Sequence, residues 1–234
     1  MYYSSWSVGG CMIKISHFNY SYPDGTVALQ DISLSIQAED VALVGANGSG
    51  KTTLLLAIVG LLQGDGSISV LGEKNLKKVR GRIGLVFQNP DDQLFMPTVF
   101  DDIAFGPVNL GLTQVKERVS HALAEVGLAG YEKRCPHHLS FGEKKRAAIA
   151  TVLAMDCELL LLDEPSANLD PRGKRQLVQL LKELPQPKIV ATHDLELALC
   201  LCERTVLLNS GKVAADGDTN KILSDSEFLE KHGL

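Results

Sequence analysis

The sequence predicts an α/β fold in which an α/β core is interrupted by a helical insert at about 89–155. Three observations predict it. The glycine-rich stretch Gly45-Ala46-Asn47-Gly48-Ser49-Gly50-Lys51-Thr52 stands between a short apolar strand and an apolar helix. Further apolar runs of strand length, at 83–87, 159–162, 188–192 and 205–208, read as buried strands. Between 98 and 154 the apolar spacing turns helical, and helix-opening residues recur.

The elements follow in order. Residues 1–11 show no periodicity and are expected to form a disordered leader or an overcalled start, leaving 12–234 as one domain. Ile13, Ile15 and Phe18 lead to Tyr20 and Tyr22, so a strand is expected before the Pro23-Asp24-Gly25 turn. Residues 27–36 alternate as a second strand, followed by a turn at 38–40. Val41-Ala42-Leu43-Val44 is a short buried strand, and the apolar helix 54–59 ends at Gly60. Gly64-Asp65-Gly66 is a turn into a strand at 67–71, and Ile83 to Phe87 is a strand ended by Gln88. Thr98 and Asp101 form a capping box opening a helix that Gly106-Pro107 stops. Thr113 caps a second helix whose face is Val115, Val119, Ala122, Leu123 and Val126, closed by Gly127. Ser140 and Glu143 form another capping box, opening a helix through Ala154. Leu159 to Leu162 is a strand, and Asp170-Pro171 opens a helix with the stripe Leu177, Leu180, Leu181 and Leu184. Strand 188–192, helix 195–202 and strand 205–208 follow, and Asn209-Ser210-Gly211 turns into a last strand, 212–215.

Composition narrows the function classes. The chain has 234 residues, 45% hydrophobic, and a formal net charge of −5, an acidic balance that argues against a protein that grips nucleic acid. Its apolar runs stay short of the roughly 18 residues that cross a bilayer, and a secretory signal is absent. A protein that is soluble on its own and cytoplasmic is the expectation; if it works at a membrane, a partner holds it there. Cys11, Cys135, Cys157, Cys200 and Cys202 are odd in number and fit neither a disulfide framework nor a zinc site, so free thiols are expected. Cys135-Pro136-His137-His138 supplies too few ligands for a transition metal and reads as a solvated turn.

The chemistry sits at strand ends. Residues 45–52 fit the phosphate-loop pattern, whose backbone N–H groups and helix N-terminus cradle an anion. Lys51 is placed to reach the outer phosphates and Thr52 to offer its hydroxyl to magnesium, while Asn47, Gly48, Ser49, Gly50 and Thr53 complete the cradle. This implies a nucleoside triphosphate, ATP. Asp163 and Glu164 end a strand, where ligands of open parallel sheets bind. Asp163 is expected to hold magnesium, directly or through water, and Glu164 to reach the attacking water. Gln88 ends another strand and offers an amide oxygen to magnesium and the water. His193 ends a third, and reads as functional beside this phosphate chemistry. Leu139-Ser140-Phe141-Gly142-Glu143 forms a second helix N-terminus suited to phosphate, but inside the helical insert. One nucleotide does not easily touch both sites in one subunit; a head-to-tail dimer lets the second site cover the partner's nucleotide.

Together these motifs resemble the nucleotide-binding subunits of ABC (ATP-binding cassette) transporters over about 13–217, with six motifs in order. The resemblance implies a P-loop NTPase core of RecA type, an antiparallel β subdomain, a helical insert, and hydrolysis of ATP with Mg²⁺. It implies that Tyr22 stacks on adenine and that Gly45 to Thr52 is Walker A. Gln88 then heads the Q-loop, Ser140, Phe141, Gly142 and Glu143 belong to the signature, and 159–163 is Walker B with Glu164 as catalytic base. Residues 166–170, ending in Asp170, are the D-loop, and His193 is the switch histidine. The family's signature carries paired glycines; here Phe141 replaces the first, which puts a side chain where backbone comes close to phosphate.

Residues 86–95 (VFQNPDDQLF), with Phe105-Gly106-Pro107 and Asn109-Leu110-Gly111-Leu112, resemble the ATPases of energy-coupling-factor (ECF) importers for vitamins, cobalt or nickel. Pro171-Arg172-Gly173 and the run 191–197 (ATHDLEL) resemble the cobalt/nickel branch most. This implies a second ATPase copy, as a homodimer with a heterodimer open. It also implies a transmembrane scaffold, a substrate-binding membrane subunit, and a peripheral position on the cytoplasmic membrane face. The competing readings are a soluble ABC ATPase acting on nucleic acid, which such relatives carry on coiled-coil, zinc or second-cassette modules, and a small-molecule kinase, which has no use for 139–143 or His193.

Overall fold

The computed structural model describes residues 11–234; the expected leader, Cys11 apart, lies outside the described residues. Strand β1 (Ile13–Ser21) and β2 (Val27–Ile36) bury alternate residues and pair antiparallel, Ile13 opposite Ile36 and Ile15 opposite Leu34. Strand β3 (Val41–Val44) is buried at all four residues and leads to helix α1 (Lys51–Ile58). Each fully buried aliphatic side chain there contributes about 1.5–3 kcal/mol. β4 (Asp65–Val70) begins earlier than its turn-like first residues suggest, because Asn19 of β1 already pairs with Asp65. β5 (Ile83–Val86) precedes three helices, α2 (Val99–Asn109), α3 (Val115–Glu125) and α4 (Phe141–Leu153). Then come β6 (Leu159–Asp163), α5 (Pro171–Glu183), β7 (Lys188–Thr192), α6 (Leu195–Leu201), β8 (Arg204–Asn209) and β9 (Lys212–Asp218). Two short helices close the chain, α7 (Thr219–Leu223) and α8 (Ser226–Lys231), each opened by an aspartate, Asp218 or Asp225.

The chain gathers into two compact units. The first holds the described residues up to Arg80 and Pro187–Leu234. In it β3 runs parallel to β7 on one side and β8 on the other, while β9 pairs antiparallel with β8 across the Ser210-Gly211 turn. Both turn residues have positive φ, 47° and 76°, the geometry a two-residue hairpin needs. A separate antiparallel sheet has the order β2-β1-β4. Buried Lys188 donates to both carboxylate oxygens of Asp40, which ties the start of β7 to the turn before β3.

The second unit, Gly81–Gln186, pairs β5 with β6 in parallel and packs α2, α3 and α4 around Ile103, Val119, Leu123, Ala147 and Ile149. At α2 and α3 an expected helix boundary differs. α2 passes through Pro107 to Asn109, because a proline in the last turn removes only one intrahelical donor, and Leu110 still donates to Gly106. α3 opens at Gln114, in the left-handed region, rather than on a Thr113 cap; Arg118 instead donates to the Thr113 carbonyl. At α2, Thr98 accepts from the Asp101 N–H, but the Asp101 carboxylate takes the Thr98 hydroxyl, so only half of the expected box forms.

Candidate functional site

In the first unit the phosphate loop leaves the end of β3 and enters α1. Gly45 is required by packing: a Cβ there would lie 2.3 Å from the Leu208 carbonyl oxygen and 2.5 Å from the Ser49 hydroxyl. Gly50, the N-cap of α1, has φ 106°, a conformation open to glycine and costly to other residues. Lys51 is buried, and its ammonium donates to the carbonyls of Gly45 (2.6 Å) and Ala46 (3.1 Å). The cation is thereby held over the loop that supplies the backbone N–H groups. Thr52 is exposed on the first turn of α1, while Thr53 is buried and shares a 3.0 Å hydrogen bond with the Tyr22 hydroxyl. That bond sets Tyr22 beside the helix start, with Tyr20 edge-on to its ring and over a third of its surface open.

β3 and β7 are neighbours, with Val44 opposite Thr192. Gly45 and His193 therefore leave the sheet at the same level. His193 is exposed, and Asp194 beyond it caps α6 by accepting the Leu197 N–H. The structure thus brings Tyr22, the phosphate loop and His193 to one edge of this unit.

We expect Gly45→Ala to force the loop off the Leu208 carbonyl, at a cost of about 1–3 kcal/mol or more for overpacking against backbone. A thermal melt with and without ATP checks this. The wild type gains stability from the ligand, whereas the variant should melt lower and gain little.

In the second unit Val86 lies opposite Leu162, so Gln88 and Glu164 each stand two residues past matched strand ends. Gln88 is exposed; Asp163 and Glu164 are buried. Glu164 has φ 42°, the left-handed region that a non-glycine residue adopts at a cost. Lys145 of α4 is buried between these ends, donating to the carbonyls of Gln88 (2.6 Å) and Glu164 (3.0 Å). Burial pulls its ammonium down to about 8, against the opposing pull of the Asp163 and Glu164 carboxylates.

The segment 139–143 is built as its capping box predicts. The Ser140 hydroxyl accepts from the Glu143 N–H, and the Glu143 carboxylate accepts from the Ser140 N–H (2.8 Å) and hydroxyl (2.7 Å). Tyr131 donates to the other carboxylate oxygen at 2.7 Å, with the Arg134 guanidinium stacked on its ring. The Ser140 hydroxyl, then Tyr131 and the Ser140 N–H, hold the Glu143 carboxyl below its ordinary value. Ser140, Phe141 and Gly142 face Asn168, Asp170 and Arg172 across a cavity of about 330 Å³. Asp170 caps α5 by accepting the Gly173 N–H at 2.6 Å. A Cβ on Gly142 would meet only Leu169, at 3.7 Å, so packing within the chain does not demand glycine there.

Two residues that sequence reasoning did not select take part. Lys145 lies one helical turn past Phe141 on a helix whose other buried residues include Ala147, Ala148 and Ile149, so a charge on that face was the available signal. Tyr131 lies in a loop, and no periodicity marks it. Among the described residues no group of three or more His, Cys, Asp or Glu could hold a metal, and Pro136–His138 forms a single tight turn with both histidines exposed.

Comparison with known proteins bears on both units. The family model described as ABC transporter matches residues 29–167. A Gloeobacter violaceus protein, provisionally named an ABC transporter ATP-binding protein, is 54% identical over 95% of each chain. The energy-coupling factor transporter ATP-binding protein EcfA of Methanothermobacter thermautotrophicus is 46% identical over 95% of this chain and 76% of its own. Among solved structures, cbiO1 of Clostridium perfringens, described as part of the ABC transporter complex cbiONQ, superposes with a TM-score of 0.83 at 38% identity, covering 94% of each chain.

Proposed function

The chain belongs to the ABC transporter family of ATP-binding, ATP-hydrolysing subunits, and we propose that it energises an ECF-type importer carrying cobalt or nickel ions. The observation that carries the ECF reading is likeness over nearly the whole chain, to EcfA in sequence and to cbiO1 in structure. The metal branch rests on the Pro171-Arg172-Gly173 and 191–197 resemblance.

The roles follow from the family resemblance and, at the phosphate loop and the strand ends, from the chemistry of the residues. Tyr22 stacks on adenine. The backbone N–H groups of 45–53 and the Lys51 ammonium take the phosphates. Thr52, Gln88 and Asp163 offer only oxygen, the donor set that suits Mg²⁺. Magnesium held by these residues would supply neutralisation of the charge on the phosphates. Glu164 takes a proton from water as its oxygen attacks the γ-phosphorus and the bond to the bridging oxygen breaks. His193 steadies the γ-phosphate. Ser140, Phe141, Gly142, Glu143 and Asp170 act on the nucleotide held by a second ATPase copy, a homodimer in this reading. The open space at Gly142 supports close approach by another molecule.

A membrane partner has a surface to hold. Phe95, Phe105, Val108 and Leu110 are all exposed, and the Phe95 and Phe105 rings meet edge to face at 5.2 Å. This apolar patch follows Gln88 closely in sequence and suits a transmembrane scaffold, itself joined to a substrate-binding membrane subunit. No helix among the described residues is long and apolar enough to cross a membrane. The subunit in this reading sits peripherally on the cytoplasmic face.

The test is co-expression with the genomic neighbours, purification from membranes, and uptake of radiolabelled cobalt and nickel. Co-purification with a multi-span protein and ATP-dependent uptake of either ion is the expected result. Co-purification without metal uptake moves the cargo to a vitamin. Absence of any membrane partner overturns the transport reading in favour of a soluble ATPase.

A further inference from the structure

We propose that Lys145 is a positioning residue for hydrolysis, its side chain tying helix α4 to the two strand ends that carry Gln88 and Glu164. The inference rests on the assignment of Glu164 as base.

Among the described residues Lys145 heads the fully buried side chains by volume, at 1% exposure. A lysine is almost never buried so far without a specific set of partners. Its partners here include two backbone carbonyls, those of Gln88 and Glu164. β5 and β6 run parallel with Val86 opposite Leu162, so one ammonium spans two chains leaving the sheet side by side. Hydrogen bonds to a charged donor are about twice as strong as neutral ones. Beyond the β5–β6 ladder the two ends are therefore bridged by Lys145 rather than by solvent.

The carbonyl at Glu164 is the place where such a hold matters. Its residue is in the left-handed region, and Pro165 follows, which narrows the backbone further. A conformation of this kind persists only where surrounding contacts over-determine it. Lys145 supplies one donor to that carbonyl, and the Ala167 N–H supplies another at 3.1 Å. The direction of the Glu164 side chain depends on that backbone. At the other end, the Phe141 ring lies 5.8 Å from the Lys145 ammonium, within cation–π range. One buried charge thus touches the unusual aromatic of the signature, the Q-loop backbone and the backbone of the base. A shift of α4 would reach both strand ends through it.

Lys145→Met removes every donor at nearly constant volume. The expected result is a kcat about 10- to 100-fold lower, the scale of a small misplacement of a catalytic group. KM for ATP and the calorimetric ATP affinity should stay within about twofold, as when only a transition-state interaction is lost. Lys145→Arg restores charge and donors and should return kcat to within about threefold of wild type. Wild-type kcat in the methionine variant, parallel loss of ATP affinity, or failure of arginine to rescue overturns the proposal. If Lys145→Met does not fold, as read by its thermal melt, Lys145→Arg decides alone. Retained kcat then supports the proposal, and a larger loss at an unchanged melting temperature overturns it. Glu164→Gln is assayed in parallel. Normal turnover in that variant means the base assignment has failed; an inactive Glu164→Gln beside a normal Lys145→Met means only the present inference has.

Discussion

Glu164→Gln should slow ATP turnover by about 10²- to 10⁴-fold, the usual scale for losing a general base. That is about 3–5 kcal/mol of barrier at 1.36 kcal/mol per tenfold. The substitution keeps the shape of the side chain and removes its basicity. Glu164 is buried at the end of β6, its carbonyl held by Lys145. The backbone hold does not depend on the carboxylate, so the amide should occupy the same place. The phosphate grip is assigned to Lys51 and its loop, so ATP affinity should be unchanged. Binding without hydrolysis should then trap a nucleotide-loaded dimer, visible as an ATP-dependent shift to twice the mass in light scattering. Turnover at the wild-type rate would remove Glu164 from the role of base.

Lys51→Ala should act on the other term. Its ammonium donates to the loop carbonyls of Gly45 at 2.6 Å and Ala46 at 3.1 Å, and is assigned to the outer phosphates. A hydrogen bond to a charged group is worth about 1.5–3 kcal/mol, so ATP affinity should fall by roughly 10- to 100-fold. Isothermal titration with ATP reads this directly. The pair of variants separates binding from chemistry: one loses affinity, the other loses kcat alone. Unchanged affinity in Lys51→Ala would mean that the backbone N–H groups carry the phosphates unaided.

Much of the site was legible in the chain because its chemistry is local. A phosphate loop needs its glycines, lysine and hydroxyl within a single turn, so Gly45 to Thr52 announces itself without tertiary context. The same holds for Ser140 and Glu143, three residues apart, whose reciprocal bonds form as the spacing predicts. The helix boundaries at Pro107 and Gln114 were less legible. A breaker's effect depends on how many bonds remain to be lost beyond it, and a cap competes with side chains such as Arg118. The short helices α7 and α8 carried capping aspartates, but too few residues to show a period.

The sequence by itself determined the fold class, the glycine-rich loop proposed to take ATP, the acidic strand end and the resemblance to ABC subunits, since each is written in residues adjacent along the chain. Tertiary structure alone decided that Gly45 and His193 leave neighbouring strands at one level, because register is a property of pairing. It alone decided that Tyr131 holds Glu143, and that Lys145 joins Gln88, 57 residues away, to Glu164. A lysine inside a helix reads as solvent-facing until packing turns it inward. It stays there because the carbonyls it meets, together with the carboxylates nearby, offset the cost of burying its charge.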